Sequence, residues 1–324
     1  MSSLQHAEPR SASDGRPSAG PPHDFLAILD HLGVLQFGGD DAVAFLQGQL
    51  SCDVAGLNSR TSTHGAYCTP KGRMLANFLL WRVEAGFLMV LSRDIVATVH
   101  RQISKFVLRS KVKISDVSGA LRLAGAAGAK AERALAEFFR DLPATPNEVR
   151  SVDGIGSLVR LKDGRLLVAP AAEVLQKLAS RLEPANARVW RWMDIREGLP
   201  LVTAATQDQL IPQMANLELI GGVSFDKGCY TGQEIVARAQ HLGKVKRRMF
   251  LANVSAAALA GDALFSDDLG DQASGTVLNA EASPEGGYDV LAVVHAASRE
   301  NSTVHLKAPG GPALRFLALP YALA

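Results

Sequence analysis

The most informative stretch of this 324-residue sequence is Asp226-Lys227-Gly228-Cys229-Tyr230-Thr231-Gly232-Gln233-Glu234-Ile235-Val236-Ala237-Arg238. Glycines on either side of Cys229 permit a tight loop, and a helical pattern follows over residues 231–240. A cysteine near a helix N-terminus lies at the positive end of the helix dipole, and Lys227 adds a second positive charge. Both effects favour the thiolate, the form of cysteine that acts as nucleophile or metal ligand. Cys229 and Lys227 are therefore the candidate catalytic residues, and a structural cysteine in a tight turn is the alternative.

The composition is that of a globular chain without a strong overall charge. Hydrophobic residues make up 47% of the sequence and charged residues 20%, close to the averages for folded domains. No apolar run approaches the ~18–20 residues that cross a bilayer, so no membrane partner is expected. The formal net charge is +2, so the surface as a whole is not expected to attract nucleic acid.

The three cysteines and eight histidines do not form a metal-binding or disulfide pattern. Cys52 and Cys68 lie within apolar helix and strand patterns and are predicted to be core residues. The sequence contains no Cys-x-x-Cys and no His-x-x-x-His, so no metal site is predicted. Because the cysteines are few and widely spaced, we expect a reducing, cytoplasmic environment.

The chain divides into three predicted regions. Residues 1–22 are rich in Ser, Pro, Gly and Ala and are predicted to form a disordered tail. Residues 23–243 mix helices and strands without strict alternation, which favours an α+β fold. Residues 244–324 carry short alternating strands, with the alanine-rich 256–260 as the one predicted helix, and indicate a small β-barrel or sandwich. The boundary is predicted near 243–245.

Within residues 23–243 the hydrophobic periodicity predicts individual elements. The predicted strands are 64–69, 73–83, 87–91, 111–115, 121–125 and a pair near 155–169. The predicted helices begin after Asp41 and after Ser92 and also cover 129–140, 171–182, 187–197 and 231–240.

Four further segments accompany the first stretch and carry a family resemblance. They are Phe45-Leu46-Gln47-Gly48-Gln49-Leu50 with Asp53-Val54, Lys71-Gly72-Arg73, Pro212-Gln213-Met214-Ala215-Asn216-Leu217 and Gly221-Gly222-Val223-Ser224-Phe225. With the octet from Lys227 to Glu234, they resemble the signature of the YgfZ family of folate-binding proteins. That family lies in the wider superfamily of the glycine-cleavage T-protein. The similarity spans about residues 30–250, and the octet is highly specific.

The resemblance implies a three-lobed, T-protein-like α+β fold around a central opening that binds tetrahydrofolate, followed by a C-terminal β-barrel. It implies functional roles for Lys227 and Cys229. It also implies an accessory function in the assembly or repair of iron–sulfur enzymes, including one that thiomethylates tRNA. The expected partners are folate and iron–sulfur client or assembly proteins. We expect a monomer that does not bind tRNA directly.

The resemblance also suggests residues that contact the folate. Trp190 matches a tryptophan that contacts folate in the family, and an indole face can stack on a pterin or benzoyl ring. Arg196 stands where many relatives carry a glutamate that recognises the pterin, and Leu32 replaces a second tryptophan. The alternative for Trp190 and Met193 is that both are core residues of one helix face. The predicted cofactor-binding residues are Trp190, Arg196, Tyr230, Gln233, Glu234 and Arg238.

One departure from the superfamily bears on catalysis. The aminomethyltransferases carry two consecutive aspartates where this sequence has Ala76 and Asn77. Without that carboxylate, stabilisation of an iminium-like intermediate is hard to envisage, so we do not expect a glycine-cleavage aminomethyltransferase. The alternative function is a different tetrahydrofolate-dependent one-carbon transferase, of aminomethyl or demethylase type. The basic run 241–248 fits a polyglutamate tail, tRNA phosphates or a solvated linker.

Overall fold

The computed structural model describes residues 24–241 and 245–323. The predicted disordered tail of residues 1–22 lies outside these ranges, and so does most of the predicted boundary at 243–245.

Helices and strands follow one another irregularly along the chain. The strands are β1 (Phe25–Ile28), β2 (Leu32–Gly38), β3 (Ser62–Cys68), β4 (Met74–Val83), β5 (Gly86–Ser92), β6 (Lys113–Asp116), β7 (Ala124–Ala127), β8 (Val149–Val152), β9 (Gly156–Arg160), β10 (Leu166–Pro170), β11 (Pro184–Ala185), β12 (Arg247–Val254), β13 (Ala263–Ser266), β14 (Ala273–Ala282), β15 (Tyr288–His295), β16 (Val304–Leu306) and β17 (Arg315–Leu317). The helices are α1 (Ala42–Gln49), α2 (Val96–Ser104), α3 (Ala129–Phe139), α4 (Ala172–Ala179), α5 (Ala187–Arg196), α6 (Gln233–His241) and α7 (Ala296–Asn301). Short 3-10 helices cover Arg93–Ile95, Pro212–Ala215 and Leu217–Ile220.

The first sheet has the strand order β3-β4-β5-β2-β6, and all of its pairs are antiparallel. Its central strands are apolar on both faces because each face packs against a separate core. In β4, Phe78 and Leu80 point into the largest core, whereas Leu79 and Trp81 point into a second one. This explains why the sequence of β4 is a continuous hydrophobic run rather than an alternating one.

The second sheet has the order β11-β1-β7-β10-β9-β8. Strand β10 is again apolar on both sides: Leu167 faces the second core, and Val168 faces a third core shared with α3 and α4. The second core therefore lies between the first and second sheets. The predicted α+β mixture of helices and strands is confirmed, and the strands of this sheet pair antiparallel except for β1 with β11.

The third sheet corrects the predicted C-terminal barrel. Its order is β16-β13-β14-β15-β12-β17, so within the described residues it is an open half-barrel with β16 and β17 at its edges. The two edge strands have three residues each and do not pair with one another as strands. Only the residues before β17 reach β16, with the Leu314 amide donating to the Val304 carbonyl at 2.8 Å.

The predicted helix at 256–260 is also wrong. Gly261 has a φ of +90° and ends the segment, which is too short to form a stable helical turn against its surroundings. Ala258 is buried there as part of the core of the third sheet. The helix in this region is instead α7, which follows β15.

Helix α5 connects the second core to the third sheet. Its Arg188 and Arg191 both pair with Glu281 of β14, at 2.8 and 2.7 Å. Its Trp192 ring nitrogen donates to Asp289 of β15 at 2.8 Å. Because Glu281 and Asp289 are buried, these contacts fix α5 against the sheet and shape the cavity described below.

Candidate functional site

The Lys227 ammonium joins the signature stretch to the end of α1. It donates to the backbone carbonyls of Gln47, Leu50 and Cys52 at 2.5, 2.6 and 3.0 Å. The last carbonyls of a helix have no partner within the helix, and an ammonium group has three donors to offer. Lys227 therefore caps the C-terminal end of α1. It also joins the motif segment at residues 45–54 to the signature stretch that begins at Asp226.

Two glycines bring the Lys71-Gly72-Arg73 turn to the same place. Gly232 has a φ of +86°, and a Cβ added there would lie 2.5 Å from the Thr69 carbonyl oxygen. A Cβ on Gly72, with a φ of +71°, would lie 2.8 Å from Cβ of Ile235. Both positions require glycine because of their backbone conformation and the close approach. Three motif segments that are distant in sequence thus meet at one site.

Cys229 is exposed in the loop before α6. Helix α6 begins at Gln233, two residues after the predicted start at Thr231, so Cys229 lies four residues before the helix. The three hydrogen bonds of Lys227 are directed at the Gln47 carbonyl in α1 and at the Leu50 and Cys52 carbonyls after it, rather than at this thiol. Activation of Cys229 by Lys227 therefore stays an untested alternative to a positioning role for Lys227.

The other two cysteines are core residues, as predicted. Cys52 and Cys68 are each 1% exposed within the largest core. Burial raises the pKa of each thiol to about 12. Cys229 is therefore the exposed thiol among the described residues.

The remaining predicted residues of the signature fall into two groups. The Tyr230 ring is buried, its centroid lies 5.0 Å from the Lys227 nitrogen, and burial raises its pKa. Gln233 is half-buried at the start of α6. Glu234 and Arg238 are exposed and pair with each other at 3.1 Å on the surface of that helix. Tyr230 therefore lies beside Lys227, whereas Glu234 and Arg238 point towards solvent.

Trp190 and Arg196 both have protein partners. Trp190 is 2% exposed, the Arg165 guanidinium lies 4.1 Å from its ring centroid, and a side chain at Gly125 would overlap the ring. A ligand could stack on this indole only by displacing one of these neighbours. The Arg196 guanidinium lies 3.5 Å from the Asp289 carboxylate. A folate contact for either residue stays a prediction.

Helix α5 lines a cavity of about 410 Å³ that sequence reasoning did not anticipate. Its other walls come from His31 in the loop between β1 and β2, from residues 92–94 at the end of β5, from residues 199–203 and from β14. The polar lining includes His31, Arg93, Asp94, Arg191, Asp194 and Thr203. These residues come from four separate segments of the sequence and form no motif, so only the tertiary structure brings the segments together.

Several polar atoms in this cavity lack hydrogen-bond partners. Among the described residues, both ring nitrogens of His31 and the Thr203 hydroxyl are buried without a partner. Burial, followed by the positive charge of Arg191, lowers the pKa of His31 to about 4. The imidazole is therefore neutral at pH 7. Buried polar groups in native proteins nearly always have partners, so these atoms mark a surface that suits a polar ligand.

Charged groups flank the same cavity. Burial raises the pKa of Asp194 to about 6, although Arg165, which donates to it at 2.7 Å, favours the carboxylate. Arg93 is exposed at the cavity rim. The exposed side chains of Arg93 and Asp94 thus place charges of both signs at the cavity rim, and the half-buried Asp194 carboxyl group, with its raised pKa, lies in the wall.

The position of the superfamily's aspartates has a structural role here. Ala76 is fully buried. The Asn77 amide donates to the Pro200 carbonyl at 2.6 Å, and its oxygen accepts from the Val202 amide at 2.7 Å. Asn77 therefore holds the segment that lines the cavity.

A smaller cavity of about 230 Å³ shares Leu199 with the first. Its lining includes His64, Glu197 and Tyr321. Burial lowers the pKa of His64 to about 4, and burial together with the nearby Asp163 raises the pKa of Glu197. A neutral imidazole and a carboxyl group of raised pKa therefore both line this cavity.

The basic run contributes a structural contact. Residues 242–244 lie outside the described part of the chain. Arg248, in β12, donates to the Gln213 carbonyl at 3.0 Å and pairs with Glu218. Arg248 therefore binds other residues of the protein through its side chain.

The described residues show neither a metal-binding cluster nor a membrane-spanning helix. Within 24–241 and 245–323, no group of three or more His, Cys, Asp or Glu residues is arranged to hold a metal ion. No helix in those ranges has the length and apolar character needed to cross a membrane.

Both the sequence and the fold of this chain resemble those of known proteins. The sequence matches no protein-family model. It is 34% identical to the tRNA-modifying protein YgfZ of Yersinia pseudotuberculosis serotype IB (strain PB1/+), over 98% of this chain and 97% of that protein. It is 33% identical to the tRNA-modifying protein YgfZ of Photorhabdus laumondii, over 92% of each chain. Its fold resembles the glycine cleavage system aminomethyltransferase T of Bartonella henselae, with a TM-score of 0.75, 20% identity, and coverage of 93% of this chain and 86% of that one.

Proposed function

The chain belongs to the YgfZ family of tRNA-modifying proteins, and from that premise we propose that it is a folate-binding accessory protein for iron–sulfur enzymes. In this proposal it supports cluster assembly or repair in enzymes that thiomethylate tRNA, and it acts on tRNA only indirectly. The single observation that carries the proposal is the 410 Å³ cavity with unpartnered polar atoms in its wall.

The cavity suits a reduced folate in size and in chemistry. Sites for small molecules typically enclose about 300–1,000 Å³ and combine apolar walls with a few polar groups. The neutral His31 and the Thr203 hydroxyl offer hydrogen bonds to an uncharged polar ring. Arg93 at the rim offers a guanidinium, which binds carboxylates such as a glutamate tail in a two-pronged manner. When bound, a reduced folate supplies a carrier for one-carbon groups.

Trp190 has an indirect role in this proposal. Its ring supports Arg165, which in turn donates to Asp194 at 2.7 Å in the cavity wall. Arg196 similarly holds α5 against the third sheet through Asp289. Both residues would shape the folate site, and a direct contact of either one with the ligand stays a prediction.

The exposed Cys229 is the second part of the proposal. Lys227 fixes the loop that presents this thiol, because its ammonium is bound to three carbonyls of α1 and the residues after it. A thiol held in this way would contact a cluster, a sulfur species or a client protein transiently. Tyr230 packs against Lys227 and supports the same loop.

One observation favours the alternative, a folate-dependent one-carbon transferase. The pKa of Asp194 is raised to about 6 by burial, which is near the range useful to a general acid or base. Asn77 counts against an aminomethyl transfer, because an amide bound to two backbone groups cannot exchange a proton with a substrate. The accessory role is therefore preferred.

Isothermal titration calorimetry with tetrahydrofolate tests the folate part of the proposal. We expect saturable binding to the wild type and at least about tenfold weaker binding to Arg93→Ala, because charge-assisted hydrogen bonds to a carboxylate are lost. Lys162→Ala is a matched control, since this exposed cation does not line the cavity. Absence of binding at millimolar ligand would overturn the proposal.

A further inference from the structure

We propose that the surface formed by residues 101–113 docks an acidic face of a partner protein. This segment comprises the second half of α2, the loop after it and the start of β6. The inference rests on the proposed function, since it takes the iron–sulfur enzyme served by this chain as the partner. None of the residues in the segment lines either cavity described above.

Two large apolar side chains are exposed close together in this segment. Leu108 is 87% exposed and Phe106 is 46% exposed. Among the described residues, Leu259 is the one other large apolar side chain that is exposed. Single apolar side chains at a surface are normal, whereas neighbouring ones indicate an interaction site.

The backbone conformation at Leu108 is unfavourable for leucine. Its φ is +45°, in the left-handed region that glycine and asparagine adopt far more readily. The exposed side chain gains almost no burial from this conformation. Strained residues that do not contribute to a core are typical of functional positions. The strain at Leu108 therefore fits a residue that presents its apolar side chain to a partner.

The loop is held in place by the turn before α1 and by the core beneath it. The Lys111 amide donates to the Asp41 carboxylate at 2.7 Å. Val107 is half-buried and packs against the largest core. Phe106 and Leu108, on either side of Val107, are therefore presented to solvent from a fixed backbone. A fixed backbone reduces the conformational entropy that is lost when a partner binds.

Positive charges surround the two apolar side chains. The segment contains no acidic residue, and its exposed cations are Arg101, Lys105, Arg109, Lys111 and Lys113. An apolar centre within a polar rim is the usual anatomy of a protein interface. The excess of cations predicts that the facing surface of the partner is acidic, because complementary charges speed and orient association.

Two carboxylates favour a protein partner over RNA or an anionic membrane. Asp41 lines the same open concavity, of about 730 Å³, as Phe106 and Leu108. The exposed Asp40 carboxylate lies 3.5 Å from the Lys111 ammonium. A surface covered with phosphates would repel both aspartates, whereas a protein face can place a hydrogen-bond donor opposite them.

Binding of the purified iron–sulfur enzyme that thiomethylates tRNA, taken from the same organism, tests the inference. Its affinity for the full chain is measured by fluorescence titration at low and at high salt. Purified tRNA and vesicles of phosphatidylcholine and phosphatidylserine in equal parts are the alternative ligands.

Two variants alter the surface, and each has a matched control. Leu108→Asn removes the apolar side chain and accepts the left-handed backbone. Its control is Leu259→Asn, at the other exposed leucine. The double variant Lys105→Glu/Arg109→Glu reverses two charges. Its control is Arg133→Glu/Lys177→Glu, which changes exposed cations of α3 and α4.

We expect saturable binding of the enzyme to the wild type and at least about tenfold weaker binding to Leu108→Asn, because the interface loses a leucine side chain. The melting temperature of Leu108→Asn should stay equal or rise, since asparagine suits the backbone. The charge reversal should weaken binding strongly at low salt and less at high salt, because salt screens the attraction. Both controls should bind within about twofold of the wild type.

Complementation separates this inference from the proposed function. In a strain that lacks its own homologue, a wild-type chain that fails to restore tRNA thiomethylation would overturn the proposed function and this inference with it. Restoration by the wild type without binding of the enzyme, or with a change in affinity under about twofold in both surface variants, would overturn this inference alone. Binding of tRNA or of the vesicles that either surface variant weakens would also overturn it.

Discussion

The Lys227 ammonium donates to the Leu50 carbonyl at 2.6 Å, which ties the signature loop to the chain just after α1. The same nitrogen binds the carbonyls of Gln47 and Cys52, so all three of its protons are directed at backbone oxygens. Lys227 is half-buried, and burial lowers its pKa. The geometry therefore gives Lys227 a positioning role for the loop that carries Cys229.

Replacing Lys227 with methionine tests this role. We expect Lys227→Met to lower the free energy of unfolding by about 1.5–3 kcal/mol, the range for hydrogen bonds to a charged group. We expect the alkylation rate of Cys229 to change by less than about threefold, since the ammonium is directed at carbonyls rather than at the thiol. Urea denaturation and timed iodoacetamide labelling give the two quantities.

Lys71→Met is the control for this measurement, because Lys71 is exposed in the turn beside the signature. It should change neither quantity measurably. If Lys227→Met kept full stability while Cys229 reacted more than tenfold more slowly, Lys227 would act on the thiol directly and the positioning role would be wrong.

The motif segments could be identified, and most secondary structure predicted, from the sequence because both depend on residues that are close together in the chain. Helix α5, predicted over residues 187–197, is observed at Ala187–Arg196, and β4, predicted over 73–83, at Met74–Val83. Periodicity and turn residues are short-range signals. The octet identified the family for the same reason, since its residues are consecutive.

The cavity could not be predicted, because its residues come from separate parts of the chain. His31 precedes β2, and Thr203 follows α5, and neither has a distinctive neighbour in sequence. The partners of Trp190 and Arg196 are equally remote: Arg165 lies at the start of the second sheet's β10 and Asp289 in β15. Matching a residue to a ligand contact known in the family does not show which protein groups pack against that side chain in this chain.

Asn77 provides a second prediction, for stability. Asn77→Asp removes the donor to the Pro200 carbonyl and introduces a charge at a position that is 4% exposed. We expect a loss of about 1–3 kcal/mol or more in the free energy of unfolding. Thermal and urea denaturation measure the loss.

Asn58→Asp is the matched control for this change. The Asn58 side-chain oxygen accepts from the Arg60 amide at the surface, and an aspartate keeps that acceptor. It should therefore be neutral. An Asn77→Asp protein as stable as the wild type, or one with new aminomethyltransferase activity, would contradict the structural role given to Asn77.

His64 provides a prediction for pH dependence. Burial lowers its pKa from 6.5 in the unfolded chain to about 4 in the folded protein. Between these values the unfolded chain binds the extra proton, so stability is fully present above pH 6.5 and falls as the pH drops towards 4. We expect the loss in the free energy of unfolding on acidification to be smaller in His64→Gln than in the wild type, by up to roughly 3 kcal/mol. Urea denaturation at pH 7.5 and pH 4.5 measures it.

Other groups titrate in the same window, so the two proteins must be compared with each other. His31 has a pKa lowered to about 4 and acts in the same direction as His64. Asp194 has a pKa raised to about 6, so it adds stability as the pH falls from 6 to about 4. These contributions are common to both proteins and cancel in the difference. An identical pH response in wild type and His64→Gln would show that His64 is not buried in neutral form.

Cysteine reactivity supplies the fourth prediction. Iodoacetamide near neutral pH should label Cys229 first, because it is exposed whereas Cys52 and Cys68 are 1% exposed and their pKa values are raised to about 12. Mass spectrometry of peptides at successive times gives the three rates. Labelling of all three cysteines should become similar in urea, which controls for intrinsic reactivity. Slower labelling of Cys229 than of Cys52 in the folded protein would contradict the described exposure.

The last prediction separates the function of Cys229 from its packing. Cys229→Ala removes an exposed side chain, so the free energy of unfolding should change by less than about 0.5 kcal/mol. In a strain that lacks its own homologue, the variant should nevertheless fail to restore tRNA thiomethylation, because the thiol is the proposed contact with iron–sulfur chemistry. Nucleoside analysis of the cellular tRNA measures the outcome, with wild type and Cys52→Ala as controls. Cys52→Ala removes a core thiol and should lower stability while leaving the exposed thiol in place. Full restoration of tRNA thiomethylation by Cys229→Ala would mean that this cysteine has only a structural role in its turn. The proposed role of its thiol would then be abandoned.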